Sequence, residues 1–182
     1  MYIEDVTARV RILVVDDEPM ICQSCKEILE FEGYMVETAI SGEEGLKKAL
    51  EQKFDLAILD IKMPDMSGLN LLKRMRAGQS PTPIVMMTAY STVETAVEAM
   101  KLGATDFVQK PFTPEELSRV VRSVIIKKKE RAEGIPGVEA GPQETVQKFN
   151  EDRVERHELA GGGVFKKSSR ARSYSGTCRR NN

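Results

Sequence analysis

Apolar residues recur in short runs along the first 110 residues of the chain. The clearest runs are Ile12–Val15, Leu56–Leu59 and Ile84–Met87, and turn residues bound each of them. Runs of this length without polar alternation are typical of strands buried on both faces of a sheet. The segments between them are longer and carry apolar residues at helical spacing, such as Ile21, Cys25, Ile28 and Leu29. The pattern predicts strands that alternate with helices.

Polar residues and glycines mark the ends of the predicted helices. A Ser or Thr followed three residues later by Glu, the spacing of a capping box, occurs at Ser41, Ser91 and Thr113. Glycines stand where helices should end, at Gly33, Gly78 and Gly103. We predict strands at 10–15, 35–39, 55–59, 83–87 and 105–109. We predict helices at 19–32, 42–52, 68–77, 92–102 and 114–129.

Strict alternation with short connections predicts a parallel sheet covered by helices on both faces. Polar side chains stand at the ends of four of its strands, and these are Asp16, Asp17, Asp60, Thr88 and Lys110. The carboxyl ends of parallel strands meet at one edge of a sheet, where such sheets bind ligands. Three carboxylates, one hydroxyl and one ammonium are therefore expected to converge on one crevice.

Composition is that of a globular protein, with 41% hydrophobic and 30% charged residues in a chain of 182. Residues 1–126 hold 14 Lys and Arg against 20 Asp and Glu, whereas residues 127–182 hold 13 against 8. We predict an acidic folded domain at 9–128, then a linker and a largely disordered basic tail at 130–182. No membrane span, signal peptide or DNA-binding domain is recognisable, so we expect a cytoplasmic protein.

Together, Asp16-Asp17, Asp60 with Met63–Gly68, Thr88-Ala89 and Lys110–Phe112 resemble a response-regulator receiver domain of two-component signalling. The sequence around Thr88 most resembles receivers of the nitrogen-regulation activators. The resemblance implies a flavodoxin-like fold of five strands in the order 2-1-3-4-5. It also implies a regulator, not an enzyme, that receives phosphoryl groups from a sensor histidine kinase or a histidine phosphotransfer protein.

The residues themselves indicate the chemistry. Asp60 is a carboxylate nucleophile that can form an acyl phosphate. Asp16, Asp17 and Asp60 form a cluster of hard oxygen donors suited to Mg²⁺, while Lys110 and Thr88 supply a cation and a hydroxyl for phosphoryl oxygens. The resemblance adds the backbone carbonyl of Lys62 as a metal ligand and makes Thr88 and Phe107 the switch residues. It places the output surface for a downstream protein at 91–128.

Several alternatives remain open at this level. A phosphohydrolase with an aspartyl-phosphate intermediate would carry Asp-x-Asp after its first strand, where this chain has adjacent Asp16-Asp17. A flavin-binding electron carrier on the same fold would have Ser, Thr and Gly in that loop. A receiver acting as a phosphate sink in a relay is a further possibility. The Cys22-x-x-Cys25 spacing resembles a redox motif, but its place on an apolar helix face favours buried packing residues.

Overall fold

The structure, a computed structural model, describes residues 10–89 and 93–133. Within them five strands alternate with five helices, as the apolar pattern predicts. The strands are β1 (Arg11–Val15), β2 (Met35–Ala39), β3 (Leu56–Asp60), β4 (Ile84–Thr88) and β5 (Asp106–Gln109). The helices are α1 (Pro19–Phe31), α2 (Gly42–Glu51), α3 (Gly68–Ala77), α4 (Val93–Lys101) and α5 (Pro114–Ala132).

All five strands belong to one parallel sheet with the order β2-β1-β3-β4-β5. The chain moves outward from β1 to β2 and then crosses back to β3, so the direction of winding reverses between β1 and β3. A crevice opens at such a reversal, beyond the carboxyl ends of the two strands. The flavodoxin-like order that the resemblance implied is confirmed.

The sheet separates two apolar clusters. Along β1, Ile12 and Val14 pack into a cluster with residues of α1 and α5, whereas Leu13 and Val15 pack on the opposite face with residues of α3. Because helices cover both faces, β3 and β4 are buried along their whole length. This explains why their sequences are apolar runs without alternation.

The helix caps agree with the predictions in part. Thr113 forms a complete capping box with the Glu three residues later. At α2, Ser41 accepts a hydrogen bond from the Glu44 amide, but the Glu44 carboxylate accepts from the amide of Ile40 instead of that of Ser41. The reciprocal bond of the predicted capping box is therefore displaced by one residue. The box predicted at Ser91 lies outside the described residues.

Two of the three glycines expected to end helices adopt left-handed backbone angles, with φ of 89° at Gly33 and 95° at Gly103. After α3, however, Gly78 has φ of −74° and the left-handed residue is Gln79, with φ of 56°. The chain thus makes its turn one residue later than the glycine indicated. Such a conformation is uncommon for a residue with a side chain.

Several element boundaries also differ from the prediction. Asp60 and Thr88 are the last residues of their strands instead of the first residues after them. Helix α5 continues to Ala132, three residues beyond the predicted end, because Lys127–Ala132 consists of strong helix formers. Among the described helices, none is long and apolar enough to cross a lipid bilayer. The predicted tail lies outside the described residues from 134 onward.

Candidate functional site

The Lys110 ammonium joins two buried carboxylates at the carboxyl edge of the sheet. Its Nζ atom lies 2.5 Å from Asp16 Oδ2 and 2.8 Å from Asp60 Oδ1. Asp16 is fully buried, Asp60 is 5% exposed and the Lys110 side chain is 10% exposed. The three side chains that the sequence placed at the ends of β1, β3 and β5 therefore meet in one cluster.

Register of the strands brings these residues together. Val15 is aligned with Leu59 across β1 and β3, so the next residues, Asp16 and Asp60, emerge at the same level. On the other side, the backbone amide of Lys110 donates a hydrogen bond of 2.8 Å to the carbonyl of Thr88. The β-ladder is thus extended by one bond beyond β5, and this bond fixes where the lysine leaves the sheet.

Each of the two carboxylates is held by a backbone amide through one oxygen and faces Lys110 with the other. Asp16 Oδ1 accepts from the Glu18 amide at 3.0 Å, and Asp60 Oδ2 accepts from the Lys62 amide at 2.7 Å. A charge-assisted bond to a backbone amide restricts the rotation of a carboxylate. Both groups are therefore oriented before any ligand binds.

Burial and ion pairing shift the pKa values in this cluster. Burial alone would lower the pKa of Lys110, but its contacts with Asp16 and Asp60 raise that pKa to about 12. Burial raises the pKa of Asp16 and outweighs the opposing effect of Lys110 and the Glu18 amide. The lysine is thus cationic at neutral pH, while the charge on Asp16 is under-stabilised.

The donor set fits a hard divalent cation. Asp16 Oδ2 is buried and contacts Lys110 as an ion pair, yet it forms no hydrogen bond of suitable angle. When Asp16, Asp17 and Asp60 are ionised, one ammonium leaves two negative charges uncompensated, and oxygen-rich sites of this charge suit Mg²⁺. Among residues 10–89 and 93–133, no three acidic, histidine or cysteine side chains converge closely enough to hold a metal ion. Lys110 is instead the partner of both Asp16 and Asp60.

The two predicted switch residues lie on adjacent strands beside this cluster. Thr88 ends β4 and is 5% exposed. Phe107 is half-buried on β5 and packs against the apolar cluster on the α3 side of the sheet. In the ladder between β4 and β5, Thr88 is aligned with Gln109 and Met86 with Phe107. Tyr90, which follows Thr88 by two residues, lies outside the described residues.

Two residues near the site were not singled out from the sequence. Glu18 Oε1 lies 3.6 Å from Lys110 Nζ and adds a further, mostly exposed carboxylate. Asp65 accepts hydrogen bonds from the amides of Gly42 and Glu43 at the start of α2. The acidic run Asp16-Asp17-Glu18 was a usable signal for Glu18, since all three residues precede the first turn of α1. No sequence signal identified the partners of Asp65.

The two cysteines of the Cys22-x-x-Cys25 spacing pack into the core between α1 and the sheet. The Cys22 thiol donates to the carbonyl of Asp16 at 3.4 Å, and the Cys25 thiol lies 3.9 Å from the sulfur of Met87. Burial raises the pKa of Cys22 to about 11 and that of Cys25 to about 12. Thiols with such pKa values are poor nucleophiles and metal ligands, so these residues serve packing.

Comparison with known proteins agrees with this geometry. The family model of the response regulator receiver domain matches residues 12–122. The regulatory protein AtoC of Escherichia coli is 40% identical over 119 residues, which cover 65% of this chain and 26% of AtoC. Curated relatives are longer, and this chain spans between 26% and 56% of the length of those it matches first.

Solved structures give the same result. A CheY-like receiver domain protein from Methanospirillum hungatei has a TM-score of 0.65 and 38% identity, covering 67% of this chain and 98% of that one. The beryllofluoride-activated NtrC4 receiver domain dimer has a TM-score of 0.61 and 37% identity, covering 64% and 97%.

The predicted resemblance to nitrogen-regulation receivers is thus confirmed. The comparisons favour neither a phosphohydrolase nor a flavin-binding carrier, because the relatives are regulators. The chain belongs to the response-regulator receiver family, the phosphorylation-dependent signalling module of two-component systems.

Proposed function

We propose that Asp60 accepts a phosphoryl group from a phosphohistidine of a sensor kinase or a histidine phosphotransfer protein. This proposal rests on the two contacts that orient the Asp60 carboxylate beside the buried Asp16. They are the hydrogen bond from the Lys62 amide and the ion pair with Lys110. A nucleophile restrained in this way is pre-oriented, and phosphoryl transfer depends chiefly on positioning and charge neutralisation.

In the proposed step, an oxygen of the Asp60 carboxylate attacks phosphorus while the phosphorus–nitrogen bond of phosphohistidine breaks. The departing imidazole keeps the electron pair of that bond and takes up a proton. Lys110, whose raised pKa keeps it cationic, shifts from the carboxylates toward the phosphoryl oxygens and neutralises part of their charge. The acceptor and its counter-ion are already in contact before transfer.

Receiver domains generally bind Mg²⁺ at their phosphorylation site. In this chain Asp16, Asp17 and Asp60 would hold the ion together with the backbone carbonyl of Lys62. The ion would supply the positive charge that lets an anionic carboxylate approach an anionic phosphoryl group. The negative charge that Lys110 leaves uncompensated on the carboxylates supports this assignment.

We further propose that the signal leaves the site through Thr88 and Phe107 toward a protein partner at 91–128. The hydrogen bond from the Lys110 amide to the Thr88 carbonyl supports this route. It connects the end of β4 to Lys110, whose ammonium would move toward the phosphoryl oxygens. The receiver unit is proposed to span residues 9–128.

Intact mass measurement after incubation with Mg²⁺ and acetyl phosphate tests the acceptor. Wild-type protein should gain one phosphoryl group, and Asp60→Asn, which keeps the shape but removes the nucleophilic charge, should gain none. Asp55→Asn is the matched control, because Asp55 precedes the same strand at its opposite end and pairs with Lys128. Equal labelling of wild type and Asp60→Asn would refute the proposed function.

A further inference from the structure

The loop between β3 and α3, residues 61–67, is attached to the start of a different helix. Asp65 Oδ1 accepts a hydrogen bond of 3.2 Å from the Gly42 amide, and Asp65 Oδ2 accepts one of 3.0 Å from the Glu43 amide. Gly42 and Glu43 are the first two residues of α2, whose free amides have no partner within the helix. A single carboxylate therefore joins the loop to α2 through both of its oxygens.

This attachment is additional to the ordinary cap of α2. Ser41 already accepts from the Glu44 amide at 3.2 Å and serves as the N-cap. Hydrogen bonds to backbone amides, above all that of Glu43, lower the pKa of Asp65, so the carboxylate is ionised at neutral pH. Its negative charge also suits the positive end of the helix dipole. Ser41 thus provides the side-chain N-cap of α2, and the two hydrogen bonds of Asp65 join the loop to the same helix start.

The loop is closely packed against the start of α2. A Cβ atom on Gly42 would lie 2.8 Å from Met66 Cβ, so the loop and the start of α2 are already in contact. At the far end of the loop, the Gly68 amide donates to the Ile61 carbonyl at 2.9 Å. Met63 and Met66 anchor the loop in the apolar cluster on the α3 side of the sheet. The loop is therefore held by packing and by hydrogen bonds near both of its ends.

The same loop carries Lys62, whose amide holds Asp60 Oδ2 at 2.7 Å. We propose that Asp65 is a positioning residue for the phosphorylation site: by fastening the loop to the start of α2, it sets where the backbone of Lys62 stands relative to Asp60. The inference rests on the proposed function of Asp60 and deepens it. It makes the start of α2 a support of the site, although α2 contributes no side chain to it.

The test compares Asp65→Ala with Ser67→Ala in the full chain. Ser67 lies in the same loop, and its hydroxyl accepts a hydrogen bond from the Asn70 amide at the start of α3. Both variants lose hydrogen bonds to a helix start, and both should unfold at a somewhat lower temperature. Mg²⁺ affinity is measured from amide chemical shifts at residues 16, 17, 60 and 62, and labelling is followed with acetyl phosphate and Mg²⁺.

Asp65→Ala is expected to bind Mg²⁺ about tenfold more weakly and to be labelled more slowly, since loss of an outer partner of a metal site typically lowers affinity by about 10–100-fold. Ser67→Ala should keep wild-type affinity and labelling rate. Asp65→Asn, which retains one acceptor oxygen and nearly the same shape, should fall between wild type and Asp65→Ala.

Wild-type Mg²⁺ affinity and labelling rate in Asp65→Ala would overturn the inference while leaving Asp60 as the acceptor. Equal losses in Asp65→Ala and Ser67→Ala would also overturn it, because they would indicate general loosening of the loop. Should Asp65→Ala fail to fold, an Asp65→Asn variant equal to wild type in affinity and rate would count against the inference. Labelling of Asp60→Asn would instead refute the function on which the inference rests.

Discussion

At the scale of single residues, the site is governed by one cation between two buried anions. Lys110 compensates Asp16 and Asp60 only in part, and Asp16 shows the deficit because burial raises its pKa. A group with a raised pKa in the folded state disfavours folding once it must be charged. This arrangement stores an unfavourable interaction that a bound cation can relieve.

Replacing Asp16 by Asn should stabilise the protein in the absence of Mg²⁺. The ordinary pKa of Asp is 3.8, and the folded value is higher, so the folded protein binds more protons between the two values. The destabilisation caused by ionising Asp16 is therefore absent below the ordinary pKa. It grows as pH rises from the ordinary pKa through the folded pKa, and it is complete above the folded pKa. Thermal unfolding from pH 4 to 7 should show Asp16→Asn gaining on wild type toward neutral pH, by about 0.5–2 kcal/mol.

Added Mg²⁺ should reduce or reverse the difference in stability between Asp16→Asn and wild type, because only wild type keeps all three carboxylates. Replacing Asp55 by Asn should have the opposite effect on stability, which should fall at neutral pH. Burial opposes ionisation of Asp55, but its bonds with Lys128 and the Arg11 amide prevail and lower its pKa. Asp55 thus contributes stability that is present above the ordinary pKa and lost as pH falls. An Asp16→Asn variant less stable than wild type at pH 7 without Mg²⁺ would contradict the stored penalty.

At the scale of elements, the loop after β3 fixes the site by close packing as well as by hydrogen bonds. Gly68 begins α3 directly against the end of β3, and a Cβ atom there would lie 1.9 Å from the Asp60 carbonyl oxygen. The backbone of the proposed phosphoacceptor therefore occupies space that any other residue at 68 would need. The start of α3 and the end of β3 behave as one unit.

Gly68→Ala should destabilise the protein strongly, by about 2–4 kcal/mol, since rigid backbone cannot move aside as a side chain can. Gly78→Ala at the other end of α3 is the control. There the nearest atom to a new Cβ is Leu50 Cδ2 at 3.3 Å, on a side chain that is largely exposed and free to shift. Urea unfolding of both variants measures the difference, and equal midpoints would show that the close approach at Gly68 is not restrictive.

At the scale of the whole molecule, the proposed signal is a shift between two conformations of the α4–β5–α5 half. A contact shifts such an equilibrium only when it differs between the two states. The hydroxyl of Thr88 qualifies under the proposed function, because it would gain a phosphoryl partner at the end of β4. Its backbone carbonyl accepts a hydrogen bond from the Lys110 amide, so the end of β4 is connected to the lysine of the site.

Thr88→Ala should accept the phosphoryl group at Asp60 yet lose most of the conformational response. Amide chemical shifts of residues 93–128, recorded before and after labelling with acetyl phosphate and Mg²⁺, report that response. Thr38→Ala, near the corresponding end of the edge strand β2, should respond like wild type. Identical shift changes in wild type and Thr88→Ala would break the proposed coupling.

The sequence predicted the order of elements and a parallel sheet, and it placed Asp16, Asp60 and Lys110 at one edge of that sheet, because these features depend on local pattern or on the geometry of parallel strands. Asp60 and Thr88 could be placed at one edge without knowledge of any side-chain contact. The attachment of Asp65 to Gly42 and Glu43 could not be foreseen, since it joins residues more than 20 positions apart. The left-handed turn at Gln79 was likewise missed because neighbouring Gly78 was the better candidate by residue type.

Cys22 and Cys25 are buried in the core as protonated thiols, so their reactivity can report on local opening of the folded chain. A thiol reagent can reach them only when α1 leaves the sheet, because both are buried and their pKa values are about 11 and 12. Cys22 also lies directly beneath Asp16, to whose carbonyl it donates. The rate at which Cys22 and Cys25 are modified, read separately from Cys178 by peptide mapping, therefore measures how often the core beneath the carboxylates opens.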